Sequence, residues 1–379
     1  MESDKFPKAY TFDDILLIPG FSDFTRSDIN LKTFLTKKIS LAVPFISSPM
    51  DTVTESRLAI ALAKMGGIGI VHRNLSIEKQ AAEVSKVKKA KLIVGAAIAG
   101  NGDLVDRTEA LVKAGVDLVV TDTAHGYTNG IIEAISYLKN TYPHLSVMSG
   151  NIATYEGAKA MIKAGADCIR VGMGPGAICT TRIVSGMGVP QATAVSEAVR
   201  AAKQSGIPVI ADGGLRYSGD MVKALALGAS ACMMGSFFAA CEESPGKMVR
   251  LTKNEVPARF KSILNHNTTY LFKEYRGMGS VAAMKLGAKI KSGAEFHGKS
   301  YYKERVLVAE GVEAMVPVKG TVQHVMEQAV GGIKSGMYYV GARTLEELHK
   351  KARFYQITQA SLQESHPHDV FVTNAGESY

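Results

Sequence analysis

The fold class that this sequence predicts is an α/β barrel, (β/α)8, and three observations carry the prediction. Short apolar runs alternate with helical patterns from residue 43 to about 240, and the runs number eight. The runs are nearly continuous in apolar residues, as strands buried on both faces of a helix-covered parallel sheet must be. No GxGxxG follows the first run, which argues against a doubly wound dinucleotide fold.

In chain order the strand-like runs are Val43–Ser47, Ile68–Val71, Leu92–Ile98, Asp117–Asp122, Leu145–Ser149, Asp167–Val171, Pro208–Ala211 and Ala231–Met234. Segments between them, such as Glu55–Lys64, Ile77–Lys88, Asp103–Lys113 and Ala192–Lys203, place apolar residues three and four apart, the helical spacing. A small signature precedes two of the strands, VKAGVD at 112–117 and IKAGADC at 162–168, and a related LALGASAC occurs at 225–232. In each, the glycine is suited to end a helix in the left-handed conformation. After the eighth strand the regular pattern breaks. Residues 242–340 read as a long irregular insertion, of the kind that forms a functional lid or stays disordered. Helical periodicity returns at Thr321–Val330 and Thr344–Ala360. The expectation is one barrel domain over residues 1–379, with 242–320 as a flap insertion and 360–379 as a C-terminal tail.

Composition narrows the function classes. With 46% apolar and 21% charged residues, the chain has the balance of a globular protein with a large core. No apolar run reaches the roughly 18–20 residues of a membrane span, and the N-terminus lacks the apolar core of a signal peptide. Cys168, Cys179, Cys232 and Cys241 show no CxxC spacing, which argues against zinc and fits a reducing cytoplasm. The net charge of +9 is scattered, without the aromatic-interleaved basic stripe of a nucleic-acid platform. It suits the steering of an anionic small substrate instead.

Residues 172–182, GMGPGAICTTR, are the strongest local signal. Glycines and a proline lead out of the sixth strand into Cys179, and a cysteine on a loop at the carboxyl end of a barrel strand is a candidate nucleophile. The other strand ends agree with it. They read Ser47-Ser48-Pro49-Met50-Asp51, Asp122-Thr123-Ala124-His125-Gly126, Gly150-Asn151, Asp212-Gly213-Gly214 and Gly235-Ser236. The last two follow strands seven and eight, where many such barrels bind phosphate through backbone amides.

With these residues in view, the chain resembles the inosine monophosphate dehydrogenase and guanosine monophosphate reductase family over essentially its whole length. TFDDILLIPG (11–20), MDTVTES (50–56), GGIGIVHRN (66–74), DTAHG (122–126), GPGAICTTR (174–182), ADGGLRYSGD (211–220), EESPGK (242–247), YRGMGS (275–280) and ESHPHD (364–369) carry the resemblance. It implies a (β/α)8 barrel assembled as a homotetramer, acting on a purine nucleotide with NAD, or with NADPH in a reductase. Cys179 becomes the nucleophile toward purine C2, and Thr181 the hydroxyl that helps move the proton. Asp212 would hold the ribose; Gly214, Gly235, Ser236 and Tyr275 the 5′-phosphate; Met278, Gly279 and Glu310 the base. Ser48 and Met50 would line the same pocket, and Asp122, Ala124 and Asn151 the nicotinamide ribose site. Carbonyls of Gly174, Gly176 and Cys179 would hold K+, completed by Glu364, Ser365 and His366 of a neighbouring subunit. Oxygen ligands suit such a hard cation.

Three departures stand out. Family members usually carry a pair of regulatory nucleotide-binding modules between the second helix and third strand, but here Lys86–Lys91 runs straight into LIVGAAI. The family loop normally reads GPGS, its serine touching phosphate, where this chain has Ala177. Dehydrogenases carry a water-activating Arg-Tyr pair on the flap. The corresponding stretch AKIKSGAEFHGKSYYKERV has none; Lys291 takes the ungapped position, Ser300-Tyr301 the gapped one, and Arg305 lies further on. The flap, Gly126-Tyr127 and Tyr339-Val340-Gly341-Ala342 therefore resemble the reductase, while RIVSGMGVPQ, ADGGLRYSGD and ESHPHD resemble the dehydrogenase over more residues. IMP oxidation in guanine nucleotide synthesis is the leading expectation. GMP reduction is the alternative, and a catalytically silent nucleotide-binding regulator the third.

Overall fold

The computed structural model describes residues 6–258, 260, 264, 268–294, 308–370 and 372, with side chains left out at 291–294. Eight parallel strands close into a barrel in chain order: β1 (Phe45–Ser47), β2 (Ile68–Val71), β3 (Gly95–Ile98), β4 (Leu118–Thr121), β5 (Ser146–Ile152), β6 (Cys168–Val171), β7 (Val209–Asp212) and β8 (Ala231–Met234). Two strands match the sequence reading to the residue, and the rest differ by one to three residues at an end. Strand β5 runs on to Ile152 through a register shift against β6 between Ser149 and Ile152.

The strands alternate between two cores. Ile46, Ile68, Ile70, Leu118, Val120, Met148, Cys168, Ile210 and Met233 fill the barrel lumen, while neighbours such as Phe45, Val119, Ile169 and Cys232 pack under the helices. That is the period-two alternation of a strand buried on both faces. An N-terminal hairpin, Thr33–Phe34 with Ser40–Leu41, packs Leu35, Ile39 and Leu41 into the same lumen cluster.

The surrounding helices are α1 (Ser56–Lys64), α2 (Ile77–Lys89), α3 (Leu104–Lys113), α4 (Asn129–Thr141), α5 (Tyr155–Ala164), α6 (Gln191–Ala202) and α7 (Ser218–Ala226). The three signature glycines follow α3, α5 and α7 with φ of +86°, +102° and +105° at Gly115, Gly165 and Gly228. They reverse the chain toward the next strand, as the sequence predicts. Helix α2 ends at Lys89 and β3 starts at Gly95, so their connection is a short turn.

The stretch 242–340 is more regular than its composition suggests. Strands β9 (Met248–Thr252), β10 (Thr269–Arg276) and β11 (Glu313–Pro317) form an antiparallel sheet. Helix α8 spans Val281–Ala294, and α9 (Val322–Val340) packs on α7 and α1. The helix read at 344–360 is a correction. It breaks into α10 (Leu345–Lys351) and the strand Phe354–Gln356, which pairs with the N-terminal strand Ile15–Leu17. The partner strand lies at the other end of the chain, so local periodicity could not reveal it. Among the described residues, no helix is long and apolar enough to cross a membrane.

Candidate active site

A cleft of about 610 Å³ opens at the carboxyl ends of the barrel strands, roofed by Tyr275–Gly279 and Glu310–Gly311. Ser48, Met50, Asp122, Ala124, Asn151, Gly174, Gly176, Cys179, Thr181, Asp212, Gly214, Gly235, Ser236, Tyr275, Met278, Gly279 and Glu310 all line it. Glu364, Ser365 and His366 do not; they lie at the end of a short helix, with the His366 ring against Tyr217. Lys291 sits in the last turn of α8, and Ser300, Tyr301 and Arg305 lie outside the described residues.

The cysteine loop is held at both ends. At Gly174, φ is +86° and the Arg182 side chain fills the space where a Cβ would stand, so only glycine fits. The Cys179 N–H donates to the Gly176 carbonyl at 3.1 Å. On the far side, Thr180 N–H donates to the Glu310 carbonyl at 3.0 Å, and Val312 N–H to the Ile178 carbonyl at 3.0 Å. The loop is thereby pinned to the insert segment 310–312. Its side chains form a chain of donors: Cys179 Sγ donates to Thr181 Oγ1 at 3.2 Å, and Thr181 Oγ1 donates to Glu310 Oε2 at 2.8 Å. A thiol, a hydroxyl and a carboxylate in that order can pass a proton away from sulfur. Cys179 is also the one cysteine that is not buried. Burial drives the Cys168 and Cys232 thiols up and the Cys241 thiol up to about 12, which keeps all three unreactive.

The opposite flank is built on charge. Arg170 is buried at the top of β6, and sequence reasoning missed it because it hides in an apolar run. Alternation was the available signal: with Cys168, Ile210 and Val120 facing the lumen, Arg170, Asp212 and Asp122 must face it too. Arg170 Nε donates to Asp212 Oδ2 at 2.8 Å and Nη1 to Asp122 Oδ1 at 2.7 Å. Burial opposes the guanidinium charge, but the two carboxylates outweigh it and raise the pKa. Asn151 Nδ2 donates to the same Asp212 oxygen and to the Gly172 carbonyl, both at 2.8 Å. Gln191, also unforeseen, ties β6 to β7 by donating to the Val171 and Asp212 carbonyls.

Between the flanks, the loop after β7 turns through Gly213 and Gly214, and a short helix, Ser236–Ala239, starts at Gly235. A Cβ on Gly235 would stand 2.5 Å from the Tyr275 hydroxyl, so glycine there admits the phenol. Burial first, then the Asp212 carboxylate, raises the Tyr275 pKa and keeps the phenol protonated. Among the described residues, three buried polar atoms of the cleft lining make no hydrogen bond: Asn151 Oδ1, Gln191 Oε1 and Arg73 Nε, the last ion-paired with Asp122 Oδ2 at 3.8 Å.

Comparison with known proteins gives a consistent result. Residues 9–368 match the family model described as the IMP dehydrogenase / GMP reductase domain. The inosine-5′-monophosphate dehydrogenase of Borreliella burgdorferi is 43% identical over an alignment covering 96% of this chain and 98% of that protein. The enzyme of the same name from Cryptosporidium parvum is 41% identical, with both chains covered in full. The one from Aquifex aeolicus is 37% identical, covering 99% of this chain and 98% of that protein. This last alignment runs over 503 positions against 379 residues here, so that relative carries segments with no counterpart in this chain.

Proposed function

The chain belongs to the IMP dehydrogenase / GMP reductase family, and from that premise we propose that it oxidises IMP to XMP with NAD through a covalent adduct on Cys179. The observation that carries this reading is the line Cys179–Thr181–Glu310 at the cleft mouth. Removal of the thiol proton along that line generates the thiolate, the reactive form of cysteine. Cys179 Sγ then bonds to purine C2, and the C2 hydrogen leaves as hydride. Water adds to the resulting thioimidate at C2, the C2–S bond breaks, and XMP departs with the thiol restored.

Binding roles follow the same geometry. Asp212, fixed by Arg170 and Asn151, offers carboxylate oxygens to the ribose hydroxyls. Gly214, Gly235, Ser236 and the protonated Tyr275 receive the phosphate, while Met278, Gly279 and Glu310 face the base, with Ser48 and Met50 beside them. NAD, when bound, supplies the hydride acceptor. Asp122, Ala124 and Asn151 would hold its ribose, and Asn151 Oδ1, which makes no hydrogen bond within the protein, supplies an acceptor on that side.

K+ fits the oxygen-rich loop of Gly174, Gly176 and Cys179, with Glu364, Ser365 and His366 contributed by a neighbouring copy. The reading includes a homotetramer in the cytoplasm. It also takes residues 242–320 as a flap on a single barrel domain, and 360–379 as its tail.

The deciding experiment incubates the protein with IMP, NAD and K+ while absorbance of the reduced nicotinamide is followed. In parallel, GMP and NADPH are supplied. NADH production with IMP supports the dehydrogenase. NADPH consumption with GMP reverses the direction, which the three dehydrogenase relatives argue against. Nucleotide binding without turnover in either mixture overturns both.

A further inference from the structure

Behind the nucleotide cleft lies a buried polar cluster that touches none of it directly. Its centre is Asp51, whose side chain is 3% exposed. Arg276 Nε donates to both carboxylate oxygens, at 3.0 and 3.2 Å, and Arg276 Nη2 donates to Oδ2 at 2.7 Å. Asn74 Nδ2 donates to the same Oδ2 at 2.9 Å and to the Ala283 carbonyl of α8 at 3.2 Å. The backbone N–H of Arg276 donates to Thr52 Oγ1 at 3.2 Å, and His72 Nδ1 accepts the N–H of Asn74 at 3.1 Å.

The chain neighbours of this pair are in the cleft. Asp51 follows Met50, and Arg276 follows Tyr275, whose hydroxyl is 4.0 Å from Met50 Sδ. Adjacent residues of a strand point to opposite sides. Tyr275 therefore faces the cleft while Arg276 grips the barrel from behind. A guanidinium bonded to both oxygens of a carboxylate fixes angle as well as distance.

We propose that Asp51 is a positioning residue for the nucleotide: through Arg276 it sets the spacing between the barrel wall at Ser48–Met50 and the insert wall at Tyr275–Gly279. Asn74 extends the same hold to α8. The proposal rests on the reading of the cleft as the IMP site. Loosening this joint displaces groups that bind nucleotide, while Cys179 and Thr181, carried on the loop after β6, keep their own bonds to each other and to Glu310. Weaker binding with preserved chemistry raises KM and spares kcat.

The test is steady-state kinetics of Asp51→Asn, which keeps shape and one acceptor but loses the charge. KM for IMP should rise about tenfold with kcat within about twofold, the split expected when an interaction serves binding alone. KM for NAD should hold, while some fall in melting temperature is expected from the lost buried charge pair and bears on folding, not on the KM and kcat split. Asn74→Ala should move KM for IMP the same way by less, and the double variant should be less than additive because both act at Asp51 Oδ2. Parallel rises in both KM values, a fall in kcat with KM unchanged, or full additivity would overturn the proposal. Should Asp51→Asn fail to fold, Asn74→Ala decides by the same KM and kcat criteria. Calorimetry of IMP with the unaltered protein separates the two readings, since absence of binding there sinks the substrate assignment and this inference with it.

Discussion

On the barrel flank of the cleft, Arg170 is locked to Asp212 and Asp122 by charge, while on the insert flank Cys179, Thr181 and Glu310 are joined by single hydrogen bonds through a hydroxyl. The first arrangement leaves no freedom, because a buried cation between two carboxylates has no cheaper alternative partner. The second can rearrange, because a hydroxyl donates and accepts by rotating about one bond. In the proposed reading the fixed flank suits a ribose and the adjustable one a proton in transit.

The comparison can be broken in order of effect. Cys179→Ala should cut NADH production by about a thousandfold or more, the scale of losing a covalent nucleophile, while IMP binding by calorimetry stays within a few fold. Retained turnover would remove the adduct from the mechanism. Arg170→Met removes the buried cation that bridges the half-buried Asp122 and Asp212, leaving Asp122 only its looser 3.8 Å ion pair with Arg73, and should lower stability by about 3 kcal/mol in chemical denaturation. A loss below 1 kcal/mol, the size of an exposed pair, would mean that the barrel flank is not locked by charge. Glu310→Gln keeps the side-chain shape but ends the proposed proton line, and kcat should fall about a hundredfold. If only KM moves, Glu310 binds and does not accept protons. Ala177→Ser restores a hydroxyl to the cysteine loop, and a new hydrogen bond to a charged phosphate should lower KM for IMP by up to about tenfold. No change would place that phosphate beyond reach of residue 177.

The barrel was legible because its signal is local and repeated. Each strand is a short apolar run, and Gly115, Gly165 and Gly228 punctuate the helices before three of them. Ile68–Val71 and Ala231–Met234 were read without error for that reason. The strand Phe354–Gln356 was not, because its identity comes from Ile15–Leu17 more than three hundred residues away. Helix α8 was hidden by two glycines and three lysines in a stretch that reads as polar and irregular. In the cleft, the chemically marked residues were visible as strand ends. Arg170, Gln191 and Asp51 serve those residues from behind; alternation marks which way Arg170 faces and Asp51 stands at a strand end, but their partners come from distant parts of the chain.

The turn from Lys89 to Gly95 joins a helix end to a strand start, and in a barrel of this kind such turns lie on the face opposite the cleft. Lys91 takes a left-handed φ of +58° there. A foreign domain spliced at this turn would hang from the face opposite the cleft and leave its opening free. The chain therefore offers an insertion point for a sensor or tether whose influence on the cleft would have to pass through the full height of the packed lumen.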